Sequence, residues 1–409
     1  MRWTISLLTV VACSHHSNHS PDAAIDTPTG GTALTITTYR ASGPVNTQLV
    51  AVQDGDGPWT ALTGTAGVYT ATVHGDRYGV LTSCVSGLYS GASLWYAAIS
   101  DSTALYLDDC ADPGPASAGI RGSVTGAPAA DATSVLDAYF DEADVPAGTT
   151  AYTLSTFVGA ERLIAEDLVN MRPVKLATVD GTVADGATVN FDLSTGFAPV
   201  THALSGNGIT AATLGYRDAH GIAIIDRATT PFNNFRAIPA DKLGSGLNRL
   251  TVGDANGSSV IRYFKDPVDQ QITLPAPPQL AQQPTATKAP YPAVHFMVPV
   301  QAGTIYDLSF STTNMSTMMT RGFSIEMTPA WIAKTYSAAS IDYAAPDLHA
   351  LAGWTTDFQP EVGIALDWSV SPTKNTNVDW FPSVAPGTMF DHDGSELAFT
   401  GVSGQLAAP

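Results

Sequence analysis

Basic residues are scarce: 18 Lys and Arg stand against 37 Asp and Glu, giving a formal net charge of −19 over 409 residues. Phosphate recognition needs a basic surface that releases counterions, so nucleic acid is excluded as a partner. Adsorption to anionic lipid is disfavoured on the same ground. Glu and Lys are scarcer still, six of each, so 31 of the acids are Asp. Good helix formers are therefore few, while a residue that favours caps and turns abounds. Together with 36 Gly and 27 Pro, this composition describes short strands joined by many turns. Charged residues make up only 13% of the chain against 44% hydrophobic ones. That apolar content excludes disorder for most of the chain and suffices for several cores.

The usual signatures of catalysis are also missing. There is no Gly-x-Ser-x-Gly elbow, no His-Glu-x-x-His zinc helix, and neither a Gly-x-x-x-x-Gly-Lys nor a Gly-x-Gly-x-x-Gly phosphate loop. His74, His202, His220, His295, His349 and His392 are scattered singly. Cysteine is limited to Cys13, Cys84 and Cys110, without Cys-x-x-Cys spacing or a matching His set, which argues against zinc or redox chemistry.

The N-terminus is informative. Arg2 precedes a short apolar stretch, Ile5 to Val11, too short to span a bilayer. Val10-Val11-Ala12-Cys13 resembles the lipobox of bacterial lipoproteins. The resemblance implies removal of residues 1–12 as a signal peptide and acylation of Cys13, with Ser14 after it pointing to the outer membrane. Several acyl chains give the stable anchoring that one chain cannot. The alternative is an ordinary secretory signal, and either route exports the protein. Residues 13–33 are polar and lack hydrophobic periodicity, as a disordered tether does; His15, His16 and His19 within it make at most a weak metal site. Export places Cys84 and Cys110 in an oxidising compartment, where the remaining pair is expected to form a disulfide.

Strand-like runs recur about every 10 residues over Leu34 to Asp109, separated by turns, as in a sandwich. They centre on Thr35–Tyr39, Gln48–Gln53, Trp59–Leu62, Val68–Val73, Tyr78–Thr82, Leu94–Ile99 and Ala104–Leu107, with Asp54-Gly55-Asp56-Gly57 as a hairpin signal. Asp112 to Ala118 reads as a linker. A second β-unit contains Ile120–Val124, Ser134–Phe140, Ala151–Phe157, Pro173–Val179 and Ala187–Leu193. Here Ile120-Arg121-Gly122-Ser123-Val124, followed by Tyr152, Leu154, Gly159, Leu163 and Ala165, resembles the carboxypeptidase-regulatory-like, transthyretin-type β-sandwich modules. That resemblance implies a structural or adhesive role and brings no catalytic residues. The chain departs from the family at Ala127 to Asp131, where a tight turn is usual, and Glu161 to Val169 reads alternatively as a short helix. Further strands at Ile209–Tyr216, Ile222–Asp226 and Val260–Phe264 form a third unit. Six prolines between Pro275 and Pro292 mark a connector. Beyond it, Tyr306, Leu308 and Phe310 alternate with Asp307 and Ser309.

The expected architecture is therefore all-β, a series of antiparallel β-sandwich domains of immunoglobulin-like or transthyretin-like type: 34–111 with the disulfide, 119–197, 198–275, a connector over 276–292, and 293–409.

Candidate sites compete with plainer readings. Asp391, Asp393 and Ser395 resemble the start of a calcium loop, as does Asp54-Gly55-Asp56-Gly57, yet Val402 and Thr65 stand at the two twelfth positions where a bidentate acid belongs; hairpin turns are the better reading. No other cofactor is indicated. Met315, Met318 and Met319 could hold Cu(I), or simply fill a loop or core. Trp354, Phe358, Trp368, Trp380 and Phe381 could make an aromatic platform for a sugar, with a sandwich core as the commoner use. Glu142, Glu161, Glu166, Glu326, Glu361 and Glu396 offer carboxylates without indicating a pair. The sequence thus describes an exported, lipid-anchored surface protein with a structural or binding role toward an envelope or extracellular polymer or protein, and no catalysis. Polysaccharide binding or degradation is the first alternative and envelope metal binding the second.

Overall fold

Apolar residues at every second position build strands in the computed structural model of the chain, and Val68–Val73 and Ala151–Phe157 keep their expected bounds. The structure describes residues 30–409 except 41–42, 46, 48, 110–116, 128–131, 138–141, 147, 229–230 and 337–338; for residues 157, 160, 161 and 182 only the backbone is described. The expected signal peptide, Cys13, the tether as far as residue 29, Cys110 and most of the 112–118 linker lie outside the described residues. The chain is all-β, and its one α-helix among the described residues is Pro329–Thr335. That helix starts where Thr328 caps it, the hydroxyl accepting from Trp331 N at 3.3 Å, with proline in its first turn. Glu161 to Val169 belongs to the strand Gly159–Val169 and is not helical.

Two compact units result. The first comprises the described residues of 1–113 together with 276–386 and 399–409; the second comprises those of 114–275 with 387–398. The expected separation of 34–111 from 293–409 is therefore replaced by one shared unit. Its main sheet runs Val402–Leu406, Leu366–Val378, Thr304–Asn314, Met319–Met327, Tyr89–Ala98, Arg77–Ser86, Val50–Asp54, Thr60–Ala61. The early and late parts of the chain join where Tyr89–Ala98 pairs in parallel with Met319–Met327. This seam requires glycine. A Cβ on Gly91 would stand 2.1 Å from Gly322 O across the seam, while one on Gly322 would stand 2.4 Å from Phe310 O of its antiparallel neighbour Thr304–Asn314.

One face of the main sheet carries Leu81, Leu94, Tyr96, Tyr306, Leu308, Phe310, Phe323 and Ile325. It is covered by the helix and by the sheet Thr285–Thr287, Ala293–Pro299, Ser340–Ala344, through Trp331, Phe296, Val298 and Ile341. A strand thus forms within the expected 276–292 connector, pairing Thr285–Thr287 with Ala293–Pro299. Among the described residues, the opposite face is covered at one end. There Leu34, Ile36, Tyr69, Leu105 and Leu107 of a smaller sheet pack on Val50, Val52, Val80 and Ile305. Each fully buried aliphatic side chain contributes roughly 1.5–3 kcal/mol. The Asp54 to Gly57 segment is the expected turn: Asp54 accepts from His74 N and Gly75 N, both at 2.9 Å, and Asp56 pairs with Arg77 at 2.6 Å.

The second unit holds two sandwiches. In the first, the sheet Glu142–Val145, Ala132–Leu136, Gly159–Val169, Arg172–Val183 faces Ala151–Phe157, Ser117–Thr125, Thr188–Asp192 across Ile120, Tyr152, Leu154, Leu163 and Phe191. Gly122 is needed because a Cβ there would lie 1.6 Å from Val189 O of the parallel neighbour. In the second, Ile222–Arg227, Ala211–Arg217, Leu247–Gly253 and Ser259–Phe264 pack with Val200–Ser205 and Asn234–Ala237 around Leu214, Phe235, Leu250 and Phe264. A further cluster with Leu136, Ile164, Leu176, Tyr216 and Ile225 joins the two sandwiches. Arg172 supports this join, donating from Nε to Asp226 Oδ1 at 2.9 Å, with Asp226 fully buried.

Candidate binding face

The uncovered half of the main sheet of the first unit carries the most regular polar array. Strand register places Thr82 beside Ser93, Ser93 beside Ser324, Ser324 beside Ser309, Ser309 beside Ser369, and Ser369 beside Ser403. One hydroxyl row thus crosses six strands, and with strand spacings of ~4.8 Å it extends about 24 Å. Ser309 Oγ and Ser369 Oγ are hydrogen-bonded at 2.7 Å. Ser324 and Ser403 are exposed, Ser93, Ser309 and Ser369 half-buried, and Thr82 is buried at the covered end. The row sits on the polar face because its members alternate with Tyr306, Leu308, Phe310 and Trp368, which the opposite core demands.

The neighbouring row on one side is nearly flat, with Gly91, Gly322 and Ser311 in register. On the other side stand Trp95, Glu326, Asp307 and Ser371. Asp307 and Glu326 face each other across adjacent strands and are hydrogen-bonded to one another. Burial pushes Asp307 up to about 7. Burial, then the charge of Asp307, raises Glu326 well above the carboxylate range. Two acids so placed disfavour ionisation of both, so the pair retains a proton above the ordinary carboxylate range. Trp380 Nε1 donates to Glu326 Oε1. Asp307 Oδ2 is withdrawn from water without a hydrogen bond, and the buried Trp95 Nε1 is a donor without a protein partner.

The residues singled out from the sequence lie elsewhere or serve other ends. Asp391, Asp393 and Ser395 do not converge: Asp391 pairs with Arg217 Nε at 2.9 Å, Asp393 accepts from Lys265 N at 2.8 Å, and Ser395 Oγ accepts from His392 N at 2.8 Å. Among the described residues no three His, Cys, Asp or Glu side chains group as metal ligands. Trp368 and Trp380 are buried in core clusters, and Trp354 is half-buried, stacked with Tyr291 and Phe323 at 6.0 and 5.8 Å, so no exposed aromatic line forms. The strands supply these aromatics to their cores because large apolar rings gain most from burial. Met315 and Met318 are exposed at a hairpin tip and Met319 is half-buried at its base. Cys84, in register with Gly91, is disulfide-bonded; its expected partner Cys110 lies outside the described residues. Among the glutamates whose side chains are described, Glu326 is the one in cross-strand register with a second buried acid, Asp307. Asp307 and Ser309 are visible in the sequence as the polar half of an alternating strand, but the row they join depends on strand register, which alternation alone does not specify.

No protein-family model matches the chain, and no curated protein matches it.

Proposed function

We propose that the protein is an exported, lipid-anchored surface protein that binds an extended, uncharged polymer, with polysaccharide as the chemical class, on the open face of its first unit. The hydroxyl row from Thr82 to Ser403 carries this reading. Each hydroxyl both donates and accepts, which suits a ligand that is itself lined with hydroxyls. A flat row about 24 Å long suits a chain more than a small molecule, which prefers a concave site. The face offers no cation for phosphate or carboxylate groups. The transthyretin-type resemblance over 120–165, with its structural or adhesive implication, and the Val-Val-Ala-Cys motif agree with such a role at the envelope.

Hydrolysis at the carboxyl pair is not part of the proposal. Glycosidase carboxyls stand ~5–9.5 Å apart so that a sugar oxygen or water fits between them, whereas Asp307 and Glu326 are in direct hydrogen bond beneath Trp380.

The direct test is pull-down of the mature chain, 13–409 with Cys13→Ser, on a panel of insoluble neutral and charged polysaccharides, compared with Ser324→Arg. Retention on a neutral polymer that Ser324→Arg abolishes is the expected result. Failure to bind any polymer, or binding indifferent to Ser324→Arg, overturns the proposal. So does turnover of a glycoside that Glu326→Gln removes. Mass spectrometry of the membrane-fraction protein tests the anchor, which requires a mature N-terminus at an acylated Cys13.

A further inference from the structure

Beyond the hydroxyl row the sheet ends in two hairpin tips that lie side by side. Ser86 to Tyr89 turns between Arg77–Ser86 and Tyr89–Ala98, and Asn314 to Met319 turns between Thr304–Asn314 and Met319–Met327. Thr320 N donates to Leu88 O at 2.8 Å, which fixes the tips against each other. A third loop joins them, Glu361 N donating to Thr312 Oγ1 at 2.8 Å and Asn314 Nδ2 donating to Glu361 at 3.0 Å.

These tips gather large apolar side chains in water. Met315 is 76% exposed, Leu88 60%, Val362 59% and Met318 52%, with Val85 and Tyr89 beside them. A contiguous exposed apolar patch marks an interaction site. Met318 adopts φ +59°, a conformation that favours glycine or asparagine. An apolar side chain there is thus kept against the backbone preference. The tip is also held in shape, because Asn314 Oδ1 accepts from Ser316 N at 3.0 Å and from Ser316 Oγ at 2.6 Å.

Charge indicates what covers the patch. In a chain of net charge −19, no charged residue occurs from Tyr78 to Ser100 or from Leu308 to Thr320. The tips are apolar at their points and hydroxyl-lined behind them; the charged groups nearest to them are Arg321, paired with Asp357 at 3.0 Å, and the half-buried Glu361, held by Asn314. We infer that these tips insert into the interfacial layer of a lipid bilayer, driven by apolar burial and not by charge. Tyr89, with an apolar ring and a polar hydroxyl, suits the headgroup boundary. The inference requires no acyl chain on Cys13, so it is tested separately from the lipid anchor.

The experiment is flotation of the mature chain, 13–409 with Cys13→Ser, on phosphatidylcholine vesicles, and on vesicles containing phosphatidylglycerol. The parent is expected to float with phosphatidylcholine, and no better when anionic lipid is added. Leu88→Ser/Met315→Ser/Met318→Ser is expected to lower the partition coefficient about tenfold or more, because three apolar groups no longer gain from insertion. Its denaturation midpoint is expected to equal that of the parent, since the three side chains make no core contact. Val268→Ser, an exposed apolar residue of the second unit, serves as control and leaves flotation unchanged. Absence of flotation by the parent overturns the inference, as does equal flotation of the triple variant or an equal loss with Val268→Ser. Vesicle-independent dimerisation that the triple variant abolishes would replace the lipid with a second copy of the chain, and would overturn it too.

Discussion

Arg217 Nε donates to Asp391 Oδ2 at 2.9 Å, with Asp391 fully withdrawn from water. The guanidinium also donates to the carbonyls of Asp218 and Gly221 and lies 5.0 Å above the Phe390 ring. A late segment of the chain is thereby tied into the second unit. Removing one partner of a buried pair leaves the other charge uncompensated, which costs about 3–5 kcal/mol. Asp391→Ala is expected to lower the stability of the second unit by that order in denaturant unfolding. Arg217→Met/Asp391→Leu is expected to lose less than Asp391→Ala, a comparison made in one double-mutant cycle.

The proton retained by the Glu326 and Asp307 pair makes stability depend on pH. Both folded-state carboxyls titrate above their unfolded values, so the native state binds more protons than the unfolded state once pH passes about 4. Their contribution is fully present below that pH and is lost as pH rises through about 7 and beyond. Glu166, Asp101 and Asp167 are shifted the same way by burial, so the pair is isolated by difference. Asp307→Asn/Glu326→Gln is expected to flatten the decline between pH 5 and 8 by on the order of 2 kcal/mol. An unchanged slope in urea titrations at several pH values would refute the assignment.

Gly91 allows the parallel seam of the first unit, and Gly322 the close antiparallel pairing beside it. Gly322→Ala places a Cβ against the Phe310 carbonyl, where backbone has to move, and overpacking of this kind costs typically 1–3 kcal/mol. The expected signature is faster amide exchange in Thr304–Asn314 and Met319–Met327, with exchange in the second unit unchanged.

Cys84 is expected to resist alkylation until reductant is added, and Cys110→Ser is expected to expose it without reductant. Loss of the bond should lower stability by about 3 kcal/mol. Equal labelling of Cys84 in the parent with and without reductant would contradict the pairing.

Much of the strand content is legible because half-buried strands write their burial into every second residue. All seven runs expected over Leu34 to Asp109 correspond to strands, although Thr60–Ala61 keeps only two residues of its run. What alternation leaves open is partnership. The same pattern in Tyr306, Leu308 and Phe310 serves a separate domain or one sheet shared with Leu94 and Tyr96, and only the close approach at Gly91 and Gly322 distinguishes them. The binding face is hidden for the same reason, since Ser93, Ser309 and Ser369 are unremarkable serines until register sets them in one row. Asp391 misleads in the opposite sense: its neighbours in sequence suggest a loop of ligands, while its actual partner, Arg217, is 174 positions away.

The passage of residues 387–398 into the second unit, before 399–409 return to the first, bears on how both are completed. Neither unit has all its strands until residues 387–409 are in place, so both wait on the same short segment to close. A chain cut short near residue 386 would lose Asp391 from one unit and Ser403 from the other. A chain lacking this segment would therefore fail in two places at once, which couples the integrity of the two units through some twenty residues.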